Sequence, residues 1–298
     1  MFHYGKCHLN AFRWTRTLGG VAGPDTTIDA RGFAAYRYEA YRYQPFLGSN
    51  KDIQKSALWR YMTFEKFCWL VEKASLYHAR LDRFEDPFEG SVTAAYARNR
   101  ENEELAPGLR ARDVESWTWK CLRYQSFASC WHASDGCESD AQWKIYAPGG
   151  VGIAVVSSME RLLQSVSFHP HMDGMLGQVE YIDFEQHDMR HRPFGTQMRP
   201  GFAKRRSFEH EREVRGIILT DLVVEGGSFT MNEAFLEKQR REQPVGISAK
   251  VDLQALIAAI VVSPVAAPYI EELVRIVTKH HGLDHLVRKS ELLKAPIY

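Results

Sequence analysis

The segment Arg206–Leu219 constrains this chain most. It carries Glu209, Glu211 and Glu213 at alternate positions, then Arg215, then the apolar run Ile217-Ile218-Leu219. Successive side chains of an extended chain point to opposite faces, so the four charged residues are expected on one face of a strand. Like charges in a row repel one another. The pattern holds where the acids have cationic partners or where one of them has a chemical task. The alternative is a solvent-facing strand or helix end with exposed pairs to Lys204, Arg205, Arg206 and Arg212, which contribute little. Two close carboxylates raise each other's pKa and can divide into an acid and an anion. Glu213 adjoins the apolar run, so it is expected to be the most deeply held, with Glu211 nearer the mouth of any site.

The rest of the composition narrows the classes. Hydrophobic residues make up 45% of 298, enough for a sizeable core. Basic and acidic residues nearly cancel, 38 against 37, which excludes a global pull toward nucleic acid or anionic membrane and leaves only a local patch for either. Five cysteines without framework spacing read as reduced thiols in a cytoplasmic protein. Neither a signal-peptide core nor a membrane-length apolar stretch is present in the sequence.

Residues 1–55 read as an N-terminal arm, with a linker at Thr17 to Thr27 and tyrosine–arginine interleaving from Tyr36 to Tyr43. Such interleaving can stack on bases. Glu39 in its middle favours an arm whose tyrosines pack on the main domain. Residues 56–298 read as one α+β domain. Leu58–Tyr61 and Leu76–Ala79 are expected strands flanking a helix at Phe64–Lys73, with Thr63 at its N-cap. A charged turn follows at Arg80–Gly90, in which Asp86 caps and Phe88 plugs the core. Further strands are expected at Phe127–Trp131, Val151–Val156, Gly177–Ile182, Gly246–Val251, Ile260–Ser263 and Leu286–Ser290. Helices are expected across most of Thr93–Gln125, with a break near Pro107-Gly108, and across Glu138–Tyr146, Met159–Val166, Asn232–Glu242, Leu253–Ala259 and Tyr269–His280. Asp183–Pro200, rich in His and Arg, reads as a long mobile loop beside the site.

Arg60 stands among Leu58, Trp59 and Tyr61, a setting that suits a phosphate or carboxylate. The alternative is an internal salt bridge to one of the glutamates. Arg80 is a second open cation. Cys121, Cys130, His132 and Cys137 lack the paired short spacing of structural zinc sites, and no metal is expected. No nucleophile elbow, dinucleotide fingerprint or P-loop occurs.

Taken together, Leu58-Trp59-Arg60-Tyr61, Arg80, Asp86-Pro87-Phe88-Glu89-Gly90, Phe127–Trp131, Trp143-x-x-Tyr146, Gly150–Ile153, Phe208-x-x-Glu211-x-Glu213-x-Arg215 and Ser263-Pro264 form a spaced set. From about Ser56 to Tyr298 it resembles the bacterial domain-of-unknown-function 2971 family. The chain is also similar to ADP-ribosyltransferases, which carry an Arg or His on a first strand, a Ser on a second and a Glu-x-Glu later. Arg60, Ser129 and Glu211-Arg212-Glu213 stand in that order, although Ser129 lacks the neighbouring Thr and Ser of many such enzymes. The resemblance implies a split, strongly bent mixed sheet flanked by helices. It implies an NAD-consuming transferase or glycohydrolase, used as a toxin or in anti-phage defence, with NAD as substrate. Glu213, Glu211 and Arg60 would be catalytic. Tyr61, Arg80, Ser129, Trp131, Trp143 and Arg215 would bind the ligand, a nucleotide-type small molecule. The acceptor stays open. The rivals are a non-catalytic nucleotide- or protein-binding module and a metal-dependent nuclease built on Glu209, Glu211 and another acid.

Overall fold

A computed structural model describes residues 56–169, 172–189, 201–222 and 232–297, together with Tyr43 and short strands at 27–28, 34–35 and 44–45. The interleaved segment before Tyr43, the linker and the second half of the His/Arg-rich loop lie outside the described residues. The chain forms two compact units, Met1–Glu39 and Ala40–Tyr298. In the first, Thr27–Ile28 pairs antiparallel with Ala34–Ala35.

The second unit is mixed α+β, a large mixed sheet with helices against it. Its sheet strands, in chain order, are β1 (Gln44–Pro45), β2 (Ala57–Thr63), β3 (Ser75–Arg80), β4 (Ser126–Ser134), β5 (Gly152–Ser157), β6 (Val166–Ser167), β7 (Asp173–Gln178), β8 (Glu213–Leu219), β9 (Gly246–Val251), β10 (Ala259–Val262) and β11 (Val287–Lys289). The principal helices are α1 (Phe64–Lys73), α2 (Ala111–Gln125), α3 (Asp140–Tyr146), α4 (Met159–Ser165), α5 (Glu233–Glu242) and α6 (Pro268–Lys279).

Strand β4 organises the sheet. One of its edges is paired along its length with β8, from Ser126↔Leu219 to His132↔Glu213. The other edge is shared. Its start pairs with β3 at Ala79↔Ala128 and Arg80↔Phe127. Its end pairs with β2 at Ala57↔Ser134, Leu58↔Ala133 and Trp59↔His132. Between these contacts β2 and β3 diverge, and Ser129–Trp131 face a fork. Beyond the fork one branch runs β3–β9–β6 and the other β2–β5–β10–β11. One edge of β4 therefore serves two branches of the sheet.

Local chemistry places these elements. Helix α1 buries Phe67, Leu70 and Val71 and ends where Ala74 enters the left-handed region at φ 44°. Thr63 occupies the N-cap position, but its side chain does not cap a helix amide. Ser158 does cap α4, accepting from the Arg161 amide at 3.2 Å. The main core packs Phe67, Leu70 and Trp131 against Leu162, Val214 and Ile260. Tyr43 joins it at 3% exposure, ahead of the boundary read at Ser56. It is admitted because Gly216 has no side chain, since a Cβ there would lie 2.4 Å from the Tyr43 hydroxyl. That hydroxyl bonds His78 Nε2, while His78 Nδ1 donates to the Leu76 carbonyl at 2.9 Å. Burial drives His78 down to about 3 and keeps it neutral.

Local expectations fail at several places. The strand expected at Gly177–Ile182 is divided, since β7 ends at Gln178 and Glu180–Ile182 pairs in parallel with Ala203–Arg205. Arg206–Glu211 is a 3-10 turn and not a strand. The ladder runs out at Glu213, where β4 bends toward β2 and the Ala133 amide bonds the Arg212 carbonyl at 2.9 Å. Without a neighbouring strand, alternation cannot govern side-chain direction. Glu209 is exposed on the turn, and only Glu213 and Arg215 share the strand face. Phe88 does not plug the core. It is 37% exposed and packs edge-on against Phe184 and under Arg205. Asp86 does cap its turn, accepting from the Phe88 amide at 3.1 Å.

Candidate functional site

The fork opens into a cavity of 580 Å³, bounded by Arg60, Tyr61, Trp131, His132, Glu211 and Glu213 among others. Small-molecule sites are usually concave and of about 300–1,000 Å³. The structure thus brings five of the expected site residues to one cleft: Arg60, Tyr61, Trp131, Glu211 and Glu213.

Arg60 bridges the fork. Its Nη1 donates to the Ser129 hydroxyl on β4 and its Nη2 donates to the Tyr77 carbonyl on β3 at 3.2 Å. The guanidinium lies over the Trp131 ring, 5.7 Å from its centre. Arg60 forms no ion pair among the described residues. Burial lowers its pKa, with the Cys130 and Tyr43 groups acting in the opposite sense. A half-buried guanidinium with neutral partners has the chemistry to receive an anion. Ser129 therefore acts on the cleft through Arg60 and does not line it.

The acids sit in a buried network at the start of β8. Arg215 is fully buried and grips Glu89 with two bonds, 2.7 and 2.8 Å, while its Nε donates to Glu213. Lys204 donates to Glu213 at 2.9 Å and to Glu211 at 2.8 Å. Two cations thus face three carboxylates. One proton balances the set, and the half-buried Glu211 is the group that takes it. Burial, the hydrogen bond to Glu213 and that group's charge push Glu211 up to about 7. Glu213 is 4% exposed. Burial works against its charge, but Arg215, the Glu211 hydrogen bond and Lys204 together hold it well below the usual carboxylate range. The pair divides into an acid and an anion, as two crowded carboxylates do.

The remaining expected ligand residues stand outside the cleft. Arg80 is buried and held by Asp82 at 2.6 and 3.0 Å and by the Gln243 carbonyl at 2.6 Å. Arg215 supports Glu213 from behind. Trp143 packs edge-on against Tyr61 at 4.8 Å and donates to Glu138 at 3.0 Å. Glu138 also accepts from the Ser290 hydroxyl and the Glu291 amide, both at 2.6 Å, tying the C-terminal segment to this wall. Glu209, which the nuclease reading pairs with Glu211, is exposed on the 3-10 turn and does not line the cleft. No group of three His, Cys, Asp or Glu suited to a metal occurs among the described residues. Cys130 lines the cleft, but burial drives its thiol up to about 12.

Sequence reasoning missed Lys204 and Glu89 as the partners of the acids. Lys204 was read only as an exposed counter-ion, and Glu89 only as part of a turn. Glu89 lies 126 positions from Arg215, so no local spacing marks the pair.

If Arg60 holds an anionic ligand, Arg60→Lys should weaken its binding by roughly tenfold or more, since an ammonium cannot reproduce the planar grip. Thermal melting should change little. A variant that unfolds, alongside a wild type that binds no nucleotide, would make the arginine structural. Among the described residues no helix is long and apolar enough to cross a membrane. No family model, curated protein or solved structure matches the chain.

Proposed function

We propose that the cleft cleaves the N-ribosyl bond of NAD, with transfer to an acceptor or to water. One observation carries the reading: an arginine without an ion pair among the described residues and an acid–anion pair of glutamates line the same cavity. The split sheet supports the likeness to ADP-ribosyltransferases, and fold analogy alone does not fix function.

The chemistry distributes over the residues as follows. Arg60 holds the pyrophosphate. Tyr61 and Trp131 flank the bound rings. Departure of nicotinamide leaves an oxocarbenium-like ribose, as in glycoside cleavage. Glu213, a fixed carboxylate, stabilises that cation. Glu211 titrates near neutrality and takes the proton of the attacking hydroxyl, a task best done by a group whose pKa lies near the working pH.

The sign of the pH dependence follows. Glu211 becomes a base as pH rises through about 7, so transfer should accelerate across that range, and Glu211→Gln should flatten the profile while impairing transfer more than hydrolysis. The raised pKa also gives Glu211 a stabilising share that is full below the unfolded carboxylate value of about 4.3 and is lost as pH climbs through about 7. Glu213, with its lowered pKa, contributes above the unfolded value and loses its share as pH falls below it. A rate that is flat from pH 6 to 8 in wild type would remove Glu211 from the mechanism.

One observation favours the binding-module reading: both oxygens of Glu213 are already engaged, one by Lys204 and one by Arg215. Incubation of the purified protein with NAD decides between them. Released nicotinamide is expected. Intact NAD recovered from a protein that binds it would establish a binding module.

A further inference from the structure

The cleft is longer than the acid end needs. Its floor crosses four adjacent strands, β9, β3, β4 and β8. The pairings Ser248↔Tyr77, Ala79↔Ala128 and His132↔Glu213 put these residues on one face, and all six line the cavity. Adjacent strands lie about 4.8 Å apart, so the floor is roughly 14 Å across. Glu213 marks one end and Arg60 the middle, at the fork.

The other end is aromatic and cationic. Trp69 and Tyr77 line it, at 39% and 41% exposure, with rings perpendicular and 6.3 Å apart. Trp69 departs from the buried stripe Phe67, Leu70 and Val71 of α1, so the core does not explain its placement. Tyr77 lies down over Gly246, where a Cβ would meet its hydroxyl at 1.9 Å. Lys66, one helical turn before Trp69, lines the same end and forms no ion pair among the described residues.

We infer that Trp69, Tyr77 and Lys66 form a purine-base subsite, so that the cleft takes a dinucleotide at full length and not only its nicotinamide half. This rests on the nucleotide reading above. An aromatic pair accepts the flat base by stacking. Lys66 meets the adjoining phosphate or ribose, and Arg60 takes the pyrophosphate between the two ends.

Two probes separate the halves. ADP-ribose carries the adenine and pyrophosphate but has no nicotinamide to lose. Nicotinamide mononucleotide carries the other half. Both are titrated calorimetrically into wild type, Trp69→Ala and Trp69→Phe, with melting as a check on folding. Trp69→Ala should weaken ADP-ribose by roughly tenfold and leave nicotinamide mononucleotide unchanged, and Trp69→Phe should restore most of the loss. Unchanged ADP-ribose affinity in Trp69→Ala, or equal loss for both probes, overturns the subsite while nicotinamide release can still stand. A folded wild type that binds neither probe overturns the nucleotide reading and the subsite together.

Discussion

Glu213→Gln is expected to slow nicotinamide release from NAD by roughly a hundredfold or more, the scale of losing one preorganised electrostatic partner of a transition state. NAD affinity should stay within a few-fold, because Arg60 and the aromatic residues remain. Gln preserves the shape and removes the charge that faces the developing ribose cation. The network explains why the fold should survive. Lys204 and Arg215 would then face only Glu89, unless Glu211 ionises in place of its neighbour. Since the Glu213 charge and hydrogen bond help hold the Glu211 proton on, their loss lowers the Glu211 pKa and lets it supply the missing negative charge through Lys204. The variant should therefore melt near wild type and show no activity step near pH 7. Full activity in Glu213→Gln would remove the transferase reading.

Glu89→Ala should have the largest effect on stability, about 3–5 kcal/mol, the usual cost of leaving a buried charge without its partner. Arg215 and Glu89 are both buried and joined by two bonds. Without Glu89, Arg215 keeps only Glu213 and the Gly201 carbonyl, at 2.8 Å for the latter. The contrast is Arg112→Ala, whose side chain and that of its partner Glu101 are 51% and 53% exposed, and exposed pairs contribute about 0–1 kcal/mol. Denaturant unfolding of the two variants checks the difference. Equal small losses would mean that water reaches the network.

Much of the frame was legible. The strands at Leu58–Tyr61, Phe127–Trp131 and Val151–Val156 read through because apolar and β-branched or aromatic residues cluster in short runs between turns. The depth of Glu213 followed from its neighbours Ile217 and Ile218, whose burial carries the strand start to the edge of the core. The meeting of Glu211 with Glu213 was anticipated for the wrong reason. The expected common strand face does not exist, and a 3-10 turn followed by Arg212 at φ 45° brings Glu211 to Lys204 instead. Arg80 and Arg60 look alike in sequence, each at a strand and near aromatics. Asp82, two residues on, neutralises the first, and nothing local predicts that Arg60 has no ion pair among the described residues. The fork itself depends on β2 and β3 sharing one edge of β4, a long-range pairing that no local pattern encodes. Trp69 left a signal that was not used: an indole off the buried stripe of α1.

The most direct test titrates NAD into wild type, Arg60→Lys and Glu213→Gln and follows free nicotinamide in the same samples. Wild type should bind and release nicotinamide, Arg60→Lys should lose affinity, and Glu213→Gln should bind without release. A folded wild type that neither binds NAD nor frees nicotinamide would contradict the assignment of this cleft.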